Sequence, residues 1–273
     1  MSNILCYEDS TIEVSLDDEI LRASNIRCSP PARLKPKGTM ILLHDFFRTS
    51  YQFRHVIDLL AMGGYITIAP DLPGQRVWPQ QRAARSISKE NIAVSMVEML
   101  RVAGFQQPVH LVGCGFGALI ASMLATQHPD LVASAALGAG SSTSDLEGIV
   151  ALSGSSTKEE RLQVFKQCLT SDTNTSSLSN EDIEEYVEAF SDTSVLLAMQ
   201  VLSRASSLGD VPATCSSTVT AHPWTLELRL DVSPEEEPEH FALSVLSHAN
   251  NMAKQRISGP HVCSLTERIT CKM

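Results

Sequence analysis

The chain predicts an α/β fold on a mostly parallel sheet, with helices on both faces. Three observations predict it. Short apolar runs at Thr39–Leu43, Tyr65–Ala69, Val109–Val112 and Val132–Leu137 have the character of strands buried on both faces. Helical stretches at Tyr51–Met62, Ile87–Val102 and Ala118–Gln127 alternate with them, an alternation that calls for right-handed crossovers. Turn signals separate the segments, among them Gly63-Gly64 and Pro70-Asp71-Leu72-Pro73-Gly74.

The elements read in order as follows. Thr11–Leu16 alternates apolar Ile12, Val14 and Leu16 with polar Glu13 and Ser15, which predicts an edge strand. Asp17-Asp18 is a turn, and Glu19–Ile26 returns to complete an N-terminal hairpin. Ser29–Lys37, rich in Pro and Lys, is a loop. The helix Tyr51–Met62 buries Phe53, Val56, Ile57, Leu60 and Ala61, and Gly63 ends it. Ile87–Val102 buries Ile92, Met96, Met99 and Leu100. After Gly138 the pattern becomes helical: Lys158–Leu169, then a helix opened by Ser179 with Asp182 three residues on, then Val195–Ala205. This insert, 138–207, reads as a cap over a core made of 1–137 and 208–273. Strand signals return at Trp224–Leu230 and around Met252–Ile257, with a helix, Glu239–Ala249, between them.

Composition narrows the function classes. A chain of 273 residues with 43% apolar content can bury a large core. A net charge of −10 argues against nonspecific binding to nucleic acid or anionic membranes. No apolar run is long enough for a membrane span, and the N-terminus lacks the features of a secretory signal. The seven cysteines form no CxxC pair, which predicts free thiols in a reducing, cytoplasmic setting. Zinc-ligand spacing is absent, and no metal or cofactor is expected.

The most informative segment is Gly113-Cys114-Gly115-Phe116-Gly117, between an apolar run and a helical run. Strand, sharp glycine-rich turn and helix is the setting of a Gly-x-Nuc-x-Gly elbow. Its third position should carry Ser, Asp or Cys and is Gly115. His44, Asp71 and Gly115 each follow the carboxyl end of a predicted strand, where open parallel sheets bind ligands.

These segments carry a resemblance. Met40–Asp71 followed by Leu-Pro-Gly-Gln, and Val109–Val132, resemble the α/β-hydrolase superfamily, in particular its epoxide-hydrolase and haloacetate-dehalogenase branch. Residues 178–205 resemble that branch's cap helices, Leu226–Pro234 its seventh strand and Ile257–His261 its eighth. The resemblance implies that Asp231 is the triad acid, His261 the triad base, and the Phe46 and Phe116 amides an oxyanion hole. It also exposes three departures. Gly115 replaces the nucleophile, Asp45-Phe46-Phe47 replaces Gly-x-Pro in the oxyanion loop, and the tail beyond His261 is short.

Gly115 supports three readings: chemistry without a covalent intermediate, a decayed site, or a variant stripped of its nucleophile. A carboxylate imidazole pair can move a proton to or from water or substrate. The lead expectation is therefore an enzyme acting on a small apolar organic molecule by non-covalent acid–base catalysis. Epoxide opening, cyclisation, isomerisation and lyase chemistry are the reactions it would suit, in natural-product biosynthesis. Asp45 suits an acid, a base or a cation stabiliser better than an oxyanion donor, against a simple loop role. His44, Phe47, Cys114, Tyr186 and Phe190 are expected to line the pocket, although Cys114 usually faces the supporting core at its position. The remaining histidines, including His110 and His248, are expected at the surface or at helix ends, and Glu235–Glu239 as a solvated helix start. The alternative is a ligand-binding protein without catalysis; a homodimer fits either reading.

Overall fold

A computed structural model of the chain describes residues 6–16, 19–73, 88–105, 108–138, 157–171, 178–192, 195, 198, 227–230 and 232–258. Seven strands form one sheet: β1 (Cys6–Leu16), β2 (Glu19–Ser29), β3 (Thr39–Leu43), β4 (Ile66–Pro70), β5 (Val109–Cys114), β6 (Val132–Gly138) and β7 (Glu227–Leu230). Their spatial order is β1-β2-β4-β3-β5-β6-β7. The hairpin β1/β2 is antiparallel and β2 joins β4 antiparallel, while every pair from β4 to β7 is parallel.

The described helices are α1 (Ile57–Met62), α2 (Lys89–Val102), α3 (Phe116–Gln127), α4 (Lys158–Ser171), α5 (Asn180–Ala189) and α6 (Pro238–Ser258). Strand alternation divides the core into two layers. Ile41 and Leu43 of β3 face the cluster built with Met96, Ile120 and Leu124 of α2 and α3. Met40 and Leu42 face the opposite cluster, with Leu60 of α1 and Phe241 and Val245 of α6. Burying each such side chain contributes roughly 1.5–3 kcal/mol.

Local sequence explains the element ends. Ser88 caps α2 by accepting from Asn91 N at 3.2 Å. Ser179 and Asp182 form the expected capping box at the start of α5.

Two expectations are corrected. The helix foreseen over Tyr51–Met62 is split into a 3-10 turn, Ser50–Phe53, and the short α1. Successive bonds from Gln52 N to Thr49 O, Arg54 N to Tyr51 O and Val56 N to Phe53 O tighten the first half. The strand foreseen around Met252–Ile257 is instead the last part of α6. Phe241, Val245, Ala249 and Met252 are all buried at helical spacing, and that stripe overrides the short apolar run. The helix Val195–Ala205 lies almost wholly outside the described residues. Within residues 138–207, α4 and α5 are present, and Phe165, Leu169, Tyr186 and Phe190 join the same cluster as Phe46 and Phe47.

Candidate functional site

The elbow forms where the sequence places it. β5 ends at Cys114, Gly115 turns the chain at φ 50° and ψ −113°, and α3 begins at Phe116. A side chain there would pay the strain of positive φ, which glycine avoids. The flanking glycines serve close approach. A Cβ on Gly113 would strike the Gly117 backbone, and one on Gly117 would strike the Leu43 carbonyl.

Strand register brings the loop after β3 to the turn after β5. Leu43 pairs with Gly113 across β3 and β5, so the chains continuing beyond each strand put Asp45 beside Gly115. The contact is intimate: a Cβ built on Gly115 would overlap the carboxylate of Asp45. Asp45 Oδ1 accepts hydrogen bonds from Phe46 N at 2.7 Å and from Phe116 N at 2.8 Å. The two amides expected to form the oxyanion hole do converge on one oxygen, and that oxygen belongs to the protein's own carboxylate. Asp45 N in turn donates to Gln52 Oε1 at 2.9 Å.

His44 holds this loop from below. Its Nδ1 donates to the Asp45 carbonyl at 2.7 Å, and its Nε2 accepts from Leu72 N at 2.9 Å. Those partners require the neutral ring protonated on Nδ1. Complete burial pushes its pKa down, against the opposing pull of Asp71. His44 is thus a strut between two loops at the sheet's carboxyl edge.

Aromatic rings wall the site. Phe46 meets Phe47 edge-on at 5.2 Å and Phe116 at 5.7 Å. Phe47 reaches Phe165 of α4 at 6.2 Å, and Phe165 packs on Phe190 at 4.5 Å. Tyr186 is fully buried, but its hydroxyl is engaged elsewhere, donating to Glu235 Oε1 at 2.7 Å. Burial and then the Glu235 charge push the Tyr186 pKa well above its ordinary value, so it stays a neutral donor.

Glu235 anchors an ionic network that sequence reasoning missed. It accepts from Arg48 Nε at 2.9 Å and from Arg54 at 3.0 Å. Arg54 also pairs with Asp182 of α5 at 3.0 Å, and Tyr51 donates to the same carboxylate at 3.0 Å. The foreseen solvated role is therefore corrected for Glu235, whose side chain is only 2% exposed. It precedes α6, where the turn 234–236 folds it back onto the two arginines. Burial opposes the charge of Asp182, but the Ser179 and Tyr51 bonds and Arg54 outweigh it and lower its pKa.

Two histidines also depart from expectation. His110 is buried in β5, 2.8 Å from Ser134 Oγ and edge-on to Tyr65. His248 is buried in α6. Cys114 lies in the cluster beneath the sheet with Leu42 and Val112. Burial, then the Asp45 charge, push its thiol well above the ordinary range, which suits a core residue and not a nucleophile.

The structure brings Asp45, Phe46, Phe47, Gly115 and Phe116 together, with Tyr186 and Phe190 in the adjoining layer. Asp231 and His261 lie outside the described residues, as does Trp224. Among the described residues no group of three or more His, Cys, Asp or Glu could hold a metal ion. No described helix is long and apolar enough to cross a membrane.

Comparison with known proteins agrees with this architecture. A family described as "alpha/beta hydrolase fold" matches residues 38–168. "Epoxide hydrolase B" of Mycobacterium tuberculosis is 32% identical over 102 residues, which are 37% of this chain and 28% of the relative. The match thus spans little more than a quarter of that protein's length. Among solved structures, epoxide hydrolase VrEH1 from Vigna radiata superposes with a TM-score of 0.65 at 17% identity, covering 90% of this chain and 98% of that one. Epoxide Hydrolase A from Mycobacterium thermoresistibile gives 0.62 at 17% identity, covering 89% and 98%. Cfl2 from Burkholderia cenocepacia gives 0.65 at 18% identity, covering 90% and 95%. The chain has the α/β-hydrolase fold, and epoxide hydrolases are among the proteins it resembles.

Proposed function

We propose that the chain is an enzyme that opens an epoxide on a small, largely apolar organic molecule, using water and acid–base chemistry. One observation carries this reading: a buried carboxylate at the elbow, with one oxygen gripped by two backbone amides and phenylalanine rings around it. The low-identity likeness to proteins named epoxide hydrolases supports it. His261, steered by Asp231, moves the proton. Helices α4 and α5 act as a lid, latched to the core through Glu235 and Asp182.

Two oxygens could attack the ring. In the simpler course, water activated by His261 attacks directly and no covalent intermediate forms. In the other, a carboxylate oxygen attacks first. The amides of Phe46 and Phe116 would face the substrate oxygen in the first course, whereas they hold Asp45.

The test is turnover of small apolar epoxides such as styrene oxide, read as diol formation, by the purified full chain. The wild type should form diol and His261→Ala should not. Absence of diol from every epoxide offered would overturn the reading. The filled hole also favours a second reading, a binding protein without catalysis. In that case His261→Ala would keep the ligand affinity of the wild type, and neither protein would turn over.

A further inference from the structure

We propose that a cavity at the amino edge of the parallel sheet binds a small organic carboxylate with an apolar body, at a site separate from the elbow. The cavity has a volume of about 390 Å³, in the range of pockets that enclose small ligands. Four strands open onto it near their starts, through Thr39 of β3, Ile66 of β4, His110 of β5 and Ala133 of β6. Helix α6 closes one side with Met252 and Ala253. Gly115 lies beyond the far end of β5 from His110, about 16 Å away at the rise of a strand. The two sites therefore face opposite edges of the sheet.

The lining sets the chemistry of the guest. Ile66, Phe105 and Met252 supply apolar wall, and Ile66 and Phe105 are only half-buried, so apolar surface is left for a guest to cover. Among the described residues Lys37 is the one permanently charged member of the lining, and no carboxylate joins it there. Its ammonium sits 3.4 Å from Asn250 Oδ1 and 5.7 Å from the centre of the Tyr65 ring. Both partners are neutral, and the Tyr65 hydroxyl donates to the same Asn250 oxygen at 3.2 Å. A cation held by neutral groups beside apolar wall suits a guest that brings one negative charge and an apolar body. A carboxylate would accept a charge-assisted hydrogen bond from Lys37, whereas a phosphate monoester would bring nearly two charges to a single cation.

Gly38 keeps this space open. Its backbone lies outside the positive-φ region. A Cβ there would make ordinary contacts, 3.5 Å from His110 Nε2 and 3.7 Å from Tyr65 Cδ1. Neither strain nor crowding demands glycine at this position. The missing side chain leaves the His110 ring uncovered where it lines the cavity. That ring is fixed by Ser134 Oγ at 2.8 Å and by its edge-on packing against Tyr65, so it forms a rigid polar part of the wall.

The experiment titrates the full-length protein, its methionine methyl groups labelled for NMR, with benzoate, hydrocinnamate and naphthylacetate. Hydrocinnamamide is the neutral counterpart, and Met252→Leu identifies the Met252 signal. At least one carboxylate should shift that signal saturably, and the amide should bind about three- to tenfold more weakly than hydrocinnamate. Lys37→Met should raise the carboxylate Kd by the same factor and leave that of the amide unchanged. Gly38→Val should fold, as its Tm would show, and abolish binding. Ala253→Trp, at an exposed position of α6, should do the same without altering the packing beside His110. No saturable shift from any of the three carboxylates would overturn the site. Equal affinity for carboxylate and amide, or an unchanged Kd in Lys37→Met, would overturn the assignment of an anion. Binding that survives Ala253→Trp and Gly38→Val would overturn its place in this cavity. No arm reads diol formation, so the result is independent of the epoxide reading.

Discussion

Replacing Glu235 by glutamine tests whether the buried ionic network holds α5 to the rest of the molecule. Its carboxylate receives Arg48 at 2.9 Å, Arg54 at 3.0 Å and the Tyr186 hydroxyl at 2.7 Å. At an effective dielectric near 20, unit charges about 3 Å apart attract by roughly 5–6 kcal/mol. Desolvation of both partners cancels much of that, so the gross attraction is not the net worth of the pair. The asymmetry decides the outcome. Arg48 has a side chain only 4% exposed, and without the carboxylate its charge stays buried and uncompensated. The expected loss is about 3–5 kcal/mol of unfolding free energy, read in urea titrations, or a fall in Tm of about 6–20 °C. Arg48→Met added to Glu235→Gln should recover part of the loss, because the stranded charge is gone. A single Glu235→Gln change below about 1 kcal/mol, with no recovery in the double variant, would mean that water solvates this network and the reasoning fails.

Other consequences follow from the same contacts. Cys114, buried with a raised thiol pKa, should resist thiol reagents until denaturant opens the core, as a labelling time course would show. His44→Leu should cost about 1–3 kcal/mol, because Leu72 N would lose its acceptor in a buried place. Asp182 has a folded pKa below its unfolded one, so its contribution is fully present above the unfolded value. It is lost as pH falls through the folded value, below roughly pH 4. Asp182→Asn should therefore flatten the acid limb of the stability profile, and an unchanged limb would count against the role of its partners.

Much of the fold was legible because the parallel strands are short, apolar and bounded by turns. Thr39–Leu43 forms at its expected limits and the Ser179–Asp182 box forms as read, while the hairpin strands, Cys6–Leu16 and Glu19–Ser29, and the helix Phe116–Gln127 form where expected but run longer. Errors arose where long-range contacts decided. The apolar residues Met252 and Ile257 look alike to strand and helix over so short a run, and only the buried stripe from Phe241 to Met252 settles the matter. Glu235 reads as one of several consecutive acids, and nothing local marks it as the partner of two arginines more than 180 residues earlier. His110 has no nearby partner in sequence because Ser134 comes from the adjacent strand.

The site was half legible for the same reason. Gly115 and Asp45 each stand out as departures, and each taken alone suggests loss: a missing nucleophile and a carboxylate where an oxyanion should be met. Their separation in sequence hides the relation. Once Leu43 is in register with Gly113, the residues two places on must meet, and a glycine at one becomes the steric condition for an aspartate at the other. Gly115→Ala makes this measurable. The backbone of residue 115 costs alanine roughly 1–3 kcal/mol, and the overlap with the Asp45 carboxylate adds to it, so the total should exceed the φ term alone. Asp45→Gly in the same chain removes the overlap and leaves the φ strain. The double variant should then be less destabilised than the two single effects added together, by about 0.5–3 kcal/mol of coupling in urea titrations. Strict additivity would mean that the two side-chain positions do not compete for one space.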